Sequence, residues 1–380
     1  MNSLSRRTFA AAAAAVAARS APSLEHLVIH RDDTHYYICP WLARLDNGDL
    51  IVTVREAQRR PLERIAHADP TARGVLIRSQ DGGRTWGHKT VIDNQNWRFS
   101  QTEDVPVVQL SDRTLLVNLY SWHIGNLPKG APLPPKGMAY TMDFEGISFI
   151  RSADRGWTWS ERQPLRVPGL PDLLASRCPV IEHPDGTLLL TVSHYVREPE
   201  RWARTWCIRS RDKGRTWELA GTVAADPSRR LNYLEGSFTR LGNGKLLTLL
   251  RTDVSNDPEA RGWLYQSESA DDGRTWTPPV RTGIWGFPAH VLELRDGRLL
   301  ATYGYRRPPY GVRASISRDQ GKTWDAGFVL RDDGGTGDLG YPSTVEFEDG
   351  RVLTVYWFNT YREGDPHSEV RFIAGTFFRP

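Results

Sequence analysis

The sequence predicts an all-β fold, a six-bladed β-propeller of four-stranded antiparallel blades, because two repeats run through it in step. The first is an eight-residue box, Ser-x-Asp-x-Gly-x-Thr-Trp, written five times as Ser79–Trp86, Ser152–Trp159, Ser210–Trp217, Ser269–Trp276 and Ser317–Trp324. Self-similarity at roughly 50–70 residues is what a radial array of small sheets looks like in sequence. The second repeat is a hairpin, two apolar strands joined by a tight turn, and it occurs six times. Asp-Gly or Asn-Gly between apolar runs is the strongest short-range hairpin signal.

In chain order, the first segment is set apart from the fold. Ser5-Arg6-Arg7-Thr8-Phe9 precedes an Ala-rich run from Ala10 to Ala18. Residues 1–22 therefore read as a twin-arginine-type signal peptide, implying export of a folded protein to the periplasm or beyond. Residues 23–380 read as one propeller domain. A short strand at His26–His30 follows, expected to join the last blade and remove an open sheet edge.

The hairpins occupy residues 42–54, 107–119, 180–192, 238–250, 291–303 and 344–356. Only the second turn lacks Gly, with Arg113 in its place. A box follows the hairpin in units one to five, leaving room for two further strands and giving about 60 residues per blade. Within each box the Asp and Ser side chains are suited to bond backbone amides, the Gly to adopt positive φ and the Trp to close the turn. The sixth unit has no box; its last strands are expected at Val355–Asn359 and Val370–Phe377.

Composition narrows the partners. The 49 Lys and Arg against 45 Asp and Glu are scattered rather than striped, which argues against nucleic acid. No apolar stretch is long enough to span a bilayer. Cys39, Cys178 and Cys207 are an odd number without metal-ligand spacing and read as buried free thiols, although Cys39 and Cys178 both stand near blade starts. His67, His123, His194, His290 and His367 are isolated in sequence, so no metal and no cofactor is expected. A monomer is expected.

Aligning the six turns exposes one face. Nine residues before the turn Gly (or Arg113), the blades present Cys39, Asp104, Arg177, Glu235, Pro288 and Tyr341. Seven residues after it they present Arg55, Tyr120, Ser193, Arg251, Gly304 and Trp357. Antiparallel hairpins bring strand start and strand end together, so both sets should line one mouth of the channel. Ionisable groups concentrated there make a polar substrate pocket. Trp122, Tyr195 and Trp285 on blade loops can stack on sugar faces or pack between blades, and the Pro/Gly-rich loop Gly125–Gly137 can cover one side.

With these motifs the chain resembles the sialidase (neuraminidase) superfamily of Asp-box propellers over essentially its whole mature length. The boxes imply architecture rather than activity. The resemblance implies a tyrosine nucleophile activated by a glutamate, and Gly340-Tyr341-Pro342-Ser343 and Tyr233-Leu234-Glu235-Gly236-Ser237 look like those segments. A neutral phenol beside a base can attack an anomeric centre that bears a carboxylate, where an anionic nucleophile would be repelled. The implied acid/base is Asp69, in His67-Ala68-Asp69-Pro70, with His67 as helper or alternative donor.

The resemblance also implies three arginines gripping the sugar carboxylate. Arg251 looks like the second, and Arg313 like the third, with Arg306 and Arg307 close by. The first is missing: the matching stretch is Tyr36-Tyr37-Ile38-Cys39-Pro40, and either Arg55 or Arg177 is left to reach that space. Asp104 and His290 complete the candidate substrate-binding set. The expected function is a secreted exo-acting glycosidase removing a terminal acidic sugar, sialic acid or a related nonulosonate, octulosonate or uronate, from an oligosaccharide or glycoconjugate. Two other classes remain: a glycan-binding or assembly propeller without catalysis, favoured by the missing arginine, and a lyase or hydrolase acting on uronates.

Overall fold

The computed structural model describes residues 23–59, 69, 71–93, 100–125, 141–172, 174–196, 202–362 and 365–380. The leader 1–22, His67 and most of the insertion loop after Gly125 lie outside the described residues. Six antiparallel sheets follow one another along the chain. Blade one comprises strands His35–Arg44, Leu50–Gln58, Arg73–Ser79 and Gly87–Asp93. Blade two has a broken inner strand, Ser100–Asp104 and Val107–Gln109, then Leu115–Gly125, Thr141–Ser152 and Gln163–Pro164. Blade three is Ile181–Glu182, Leu188–Val196, Trp202–Ser210 and Glu218–Ala224. Blade four is Leu234–Arg240, Leu246–Arg251, Trp263–Ser269 and Val280–Trp285, and blade five Ala289–Glu293, Leu299–Tyr305, Gly311–Ser317 and Phe328–Arg331.

Blade six closes the ring. Its strands Gly340–Glu346, Val352–Arg362 and Asp365–Phe378 take Glu25–His30 as the outer fourth, paired from Glu25↔Phe377 to His30↔Ile373 with a register shift after Val28. Glu25–His30 thus covers Asp365–Phe378 and itself becomes the outer edge of the last sheet. Both final strands are longer than the apolar runs suggested. No helix among the described residues is long and apolar enough to cross a membrane.

Each box links the third and fourth strands of its blade and is held by its own side chains. In the first, Ser79 Oγ accepts from Gly83 N at 2.9 Å, and Asp81 accepts from the amides of Arg84 and Thr85 and from the Thr85 hydroxyl. The same pattern recurs around Asp154, Asp212, Asp271 and Asp319. These donors hold all five carboxylates below their usual range. The box Trp Nε1 donates to the Gly carbonyl in four boxes; in the fifth, Trp324 turns instead to Gln266 Oε1 at 3.0 Å. At the glycine-free second turn Arg113 itself takes positive φ (+71°).

The core lies between blades, as apolar faces of neighbouring sheets pack against each other. Near the axis every junction is also bridged by a polar side chain. Thr53 Oγ1 donates to Val105 O (2.5 Å), Asn118 Nδ2 to Cys178 O (3.0 Å) and Thr191 Oγ1 to Gly236 O (2.8 Å). Ser237 Oγ accepts from Val291 N (3.2 Å), Thr302 and Thr344 share a bond (3.1 Å), and Ser343 Oγ accepts from Leu42 N (3.1 Å). The circle is complete. It orients each inner strand against the next and so sets the geometry of the mouth.

Candidate active site

The hairpin registers bring the two aligned sets together at one end of the ring. Ile38 pairs with Arg55, Asp104 with Tyr120, Leu234 with Arg251 and Gly340 with Trp357. At Cys39, Glu235 and Tyr341 the inner strand breaks register, and all three residues adopt left-handed backbone, with φ of 56°, 49° and 50°. Such conformations cost about 1–3 kcal/mol each in non-glycine residues and collect where a bulge re-aims a side chain. Blades five and six approach closely here: a Cβ on Gly340 would stand 2.7 Å from Gly304 Cα, so neither position has room for a side chain.

Tyr341, Glu235 and Arg251 meet. Arg251 Nη1 lies 2.8 Å from Tyr341 Oη and 2.5 Å from Glu235 Oε2, and the phenol oxygen is 3.4 and 3.5 Å from the two carboxylate oxygens. Arg177 reaches the same group from blade three: Nε is 2.9 Å from Glu235 Oε1, Nη1 is 2.9 Å from Asp104 Oδ2, and its guanidinium lies 4.9 Å from the Tyr341 ring centre. Both oxygens of Glu235 are therefore held by guanidinium donors. Arg177 Nη1 also stands 3.8 Å from Cys39 Sγ, against the stretch that lacks the expected first arginine.

Electrostatics follow from this packing. Burial pushes the Tyr341 phenol well above its usual value; Arg177 and Arg251 pull the other way and Glu235 adds to the rise, leaving a neutral phenol at rest. Burial alone would lower the Arg177 guanidinium, but Asp104 and Glu235 more than offset it and hold the charge. Arg251 behaves likewise between Glu235 and Asp253.

The other expected site residues are spread more widely. Arg306 sits over this centre, its guanidinium 5.6 Å from the Tyr341 ring and 5.1 Å from Phe287, with Nε and Nη2 buried and without a hydrogen bond. Arg313 is engaged elsewhere, 3.4 Å over the Tyr305 ring. Arg55 is fully buried on the second strand of blade one, 5.7 Å from the Tyr36 ring. His290 lies deeper in the channel against Trp41, ring centres 5.9 Å apart. Asp69 is buried in the loop between the second and third strands of blade one, where its Oδ1 accepts from Thr71 N (2.9 Å) and Thr71 Oγ1 (2.6 Å).

Three further residues support the centre without a mark in either repeat. Asp253 grips Arg251 through its Nε and Nη2, and the Arg-x-Asp spacing was the available signal. Phe287 packs 4.7 Å beneath the Arg251 guanidinium, and Asp338 lies 3.9 Å from Arg306 and 3.0 Å from Arg371. Among the described residues no group of three or more His, Cys, Asp or Glu is arranged to hold a metal ion.

Residues 72–355 match the family model described as the BNR repeat-like domain. The chain belongs to the BNR repeat-like family. A sialidase of Paraclostridium sordellii is 24% identical over 364 residues, covering 86% of this chain and 82% of that protein. Among solved structures, a protein of unknown function from Dyadobacter fermentans superposes with a TM-score of 0.78 at 28% identity, over 93% of this chain and 98% of that one. The Hadza microbial sialidase Hz136 superposes at 0.64 with 20% identity, over 90% of this chain and 66% of its own. The chain is a BNR propeller of sialidase type, and at these identities the solved sialidases speak for the fold.

Proposed function

We propose that this BNR propeller is an exo-acting glycoside hydrolase that removes a terminal acidic sugar, with Tyr341 as nucleophile. The observation that carries the reading is the Tyr341 phenol held beside the Glu235 carboxylate and donated to by Arg251. As Tyr341 Oη bonds to the anomeric carbon, its proton passes to Glu235, and the anomeric bond to the leaving oxygen breaks. Asp69, on the mouth-side loop of blade one, gives that oxygen its proton. In the second half a water attacks the anomeric carbon and yields its proton to Asp69, while the departing phenol recovers its own from Glu235. Arg251 donates to the phenol oxygen wherever it carries negative charge.

An acidic sugar is supported by the guanidinium set. Arg177 and Arg251 already face carboxylates, whereas Arg306 keeps two buried N–H-bearing nitrogens unbonded next to Tyr341. The reading includes export, for which the Ser5–Phe9 signature is the support.

The test is hydrolysis by the mature protein of aryl glycosides of sialic acid, deaminated sialic acid, octulosonate, glucuronate and neutral sugars, with Tyr341→Phe alongside. Release from an acidic sugar that disappears in the variant is expected. Silence across the panel, from a folded protein that binds acidic glycans, would replace the hydrolase with a binding propeller.

A further inference from the structure

Outward from Tyr341, the mouth-side rim of blades four and five carries an alternating stack of rings and guanidinium groups. Phe287 lies beneath Arg251 and Arg306 and packs edge-on to Trp285 at 6.0 Å. Trp285 packs edge-on to Tyr305 at 5.4 Å. Arg307 then covers the Trp285 ring at 3.7 Å and Arg313 the Tyr305 ring at 3.4 Å. The order is dictated by topology. Trp285 ends the outer strand of blade four, Phe287 leads into blade five, and Tyr305 to Arg313 span the turn from its second strand to its third.

Charge separates this rim from the centre. Arg177 and Arg251 are each paired with two carboxylates. Arg307 and Arg313, by contrast, make no ion pair among the described residues; what holds them is a ring face. A stacked guanidinium has its plane fixed and its N–H edge available for a bidentate anion. Aromatic faces beside it suit the apolar face of a sugar ring.

We infer that this rim is a second subsite, for the sugar on the leaving-group side, and that it selects an anionic substituent, sulfate or carboxylate, on that sugar. The inference rests on the hydrolase reading for the direction of the chain, since the rim lies outside the Tyr341 centre. The substrate class becomes an oligosaccharide carrying negative charge on both sides of the bond that is cut. Shape comes from Trp285 and Tyr305, and charge from Arg307 and Arg313.

Binding decides it without turnover. Lactose, lactose sulfated on the galactose, and the lactose analogue with galacturonate in place of galactose are titrated calorimetrically into the mature protein, the Arg307→Gln/Arg313→Gln double variant, Arg307→Lys and Trp285→Ala. At least one anionic probe should bind about tenfold tighter than lactose, a preference that weakens with salt. The double variant should lose the preference, Arg307→Lys should keep part of it, and Trp285→Ala should weaken all three probes. Which anion wins separates the sulfated from the carboxylated substrate. Equal affinity for all three probes, or a preference that survives the double substitution, would overturn the inference. Selective binding that disappears in the double variant, from a protein that hydrolyses no glycoside, would instead leave the rim standing and remove the hydrolase.

Discussion

Arg251 donates to Tyr341: its Nη1 stands 2.8 Å from the phenol oxygen, and the same nitrogen is 2.5 Å from Glu235. One guanidinium thus links the phenol to the carboxylate that takes its proton in the proposed reaction. Removing a fixed donor aimed at developing negative charge typically costs 10²–10³-fold in rate. Arg251→Lys keeps the charge but not the fork that also holds Asp253, so kcat should fall by about 10²-fold or more with the fold intact. Steady-state kinetics with a thermal melt of the same sample checks this.

Asp104 steers the pair from behind. It is fully buried and pairs with Arg177, which in turn holds Glu235 Oε1. Breaking a buried pair by neutralising one partner leaves a charge uncompensated and costs about 3–5 kcal/mol. Asp104→Asn should lower unfolding free energy by that order in urea titration, and kcat should fall as Arg177 shifts toward Glu235. Unchanged stability would mean that Arg177 does not depend on Asp104.

His290 predicts how stability varies with pH. Burial pushes its imidazole down to about 4 from the ordinary 6.5. Above pH 6.5 the ring is neutral in both states and its contribution is complete. As pH falls from 6.5 toward 4 the unfolded chain takes up a proton that the folded one refuses, so stability declines. The melting temperature should drop across that interval, and His290→Asn should flatten the slope.

Ring closure can be cut. Strand Glu25–His30 pairs along Asp365–Phe378 and supplies Ile29 to the core shared by blades one and six. A chain beginning at Asp32 should melt at lower temperature and aggregate through the exposed strand. Equal melting and solubility would show that the other three strands suffice.

The fold was legible because its signals are local. Each Asp of a box needs donors only three and four residues away, and each turn Gly needs only positive φ, so short motifs report them faithfully. Tyr341 and Glu235 were legible for a related reason, since both occupy the same place in the hairpin register. Reach across the axis was not. Both Arg55 and Arg177 approach the stretch at Cys39, Arg55 from the paired strand over the Tyr36 ring and Arg177 from across the channel to the Cys39 thiol, which depends on side-chain direction rather than spacing. The choice between Arg306 and Arg313 turned on the path of the connection from Tyr305 to Gly311, where six residues separate two guanidinium groups that end up on different rings. Asp253 and Phe287 act through the guanidinium groups of Arg251 and Arg306, and no repeat marks them.

The most direct measurement is to find the covalent intermediate. A fluorinated, activated analogue of whichever acidic sugar is hydrolysed slows release more than attack, and peptide mapping by mass spectrometry then locates the sugar. One sugar per chain is expected, on Tyr341, and none in Tyr341→Phe. Turnover of the substrate with an adduct on another residue, or with inversion at the anomeric centre, would contradict it.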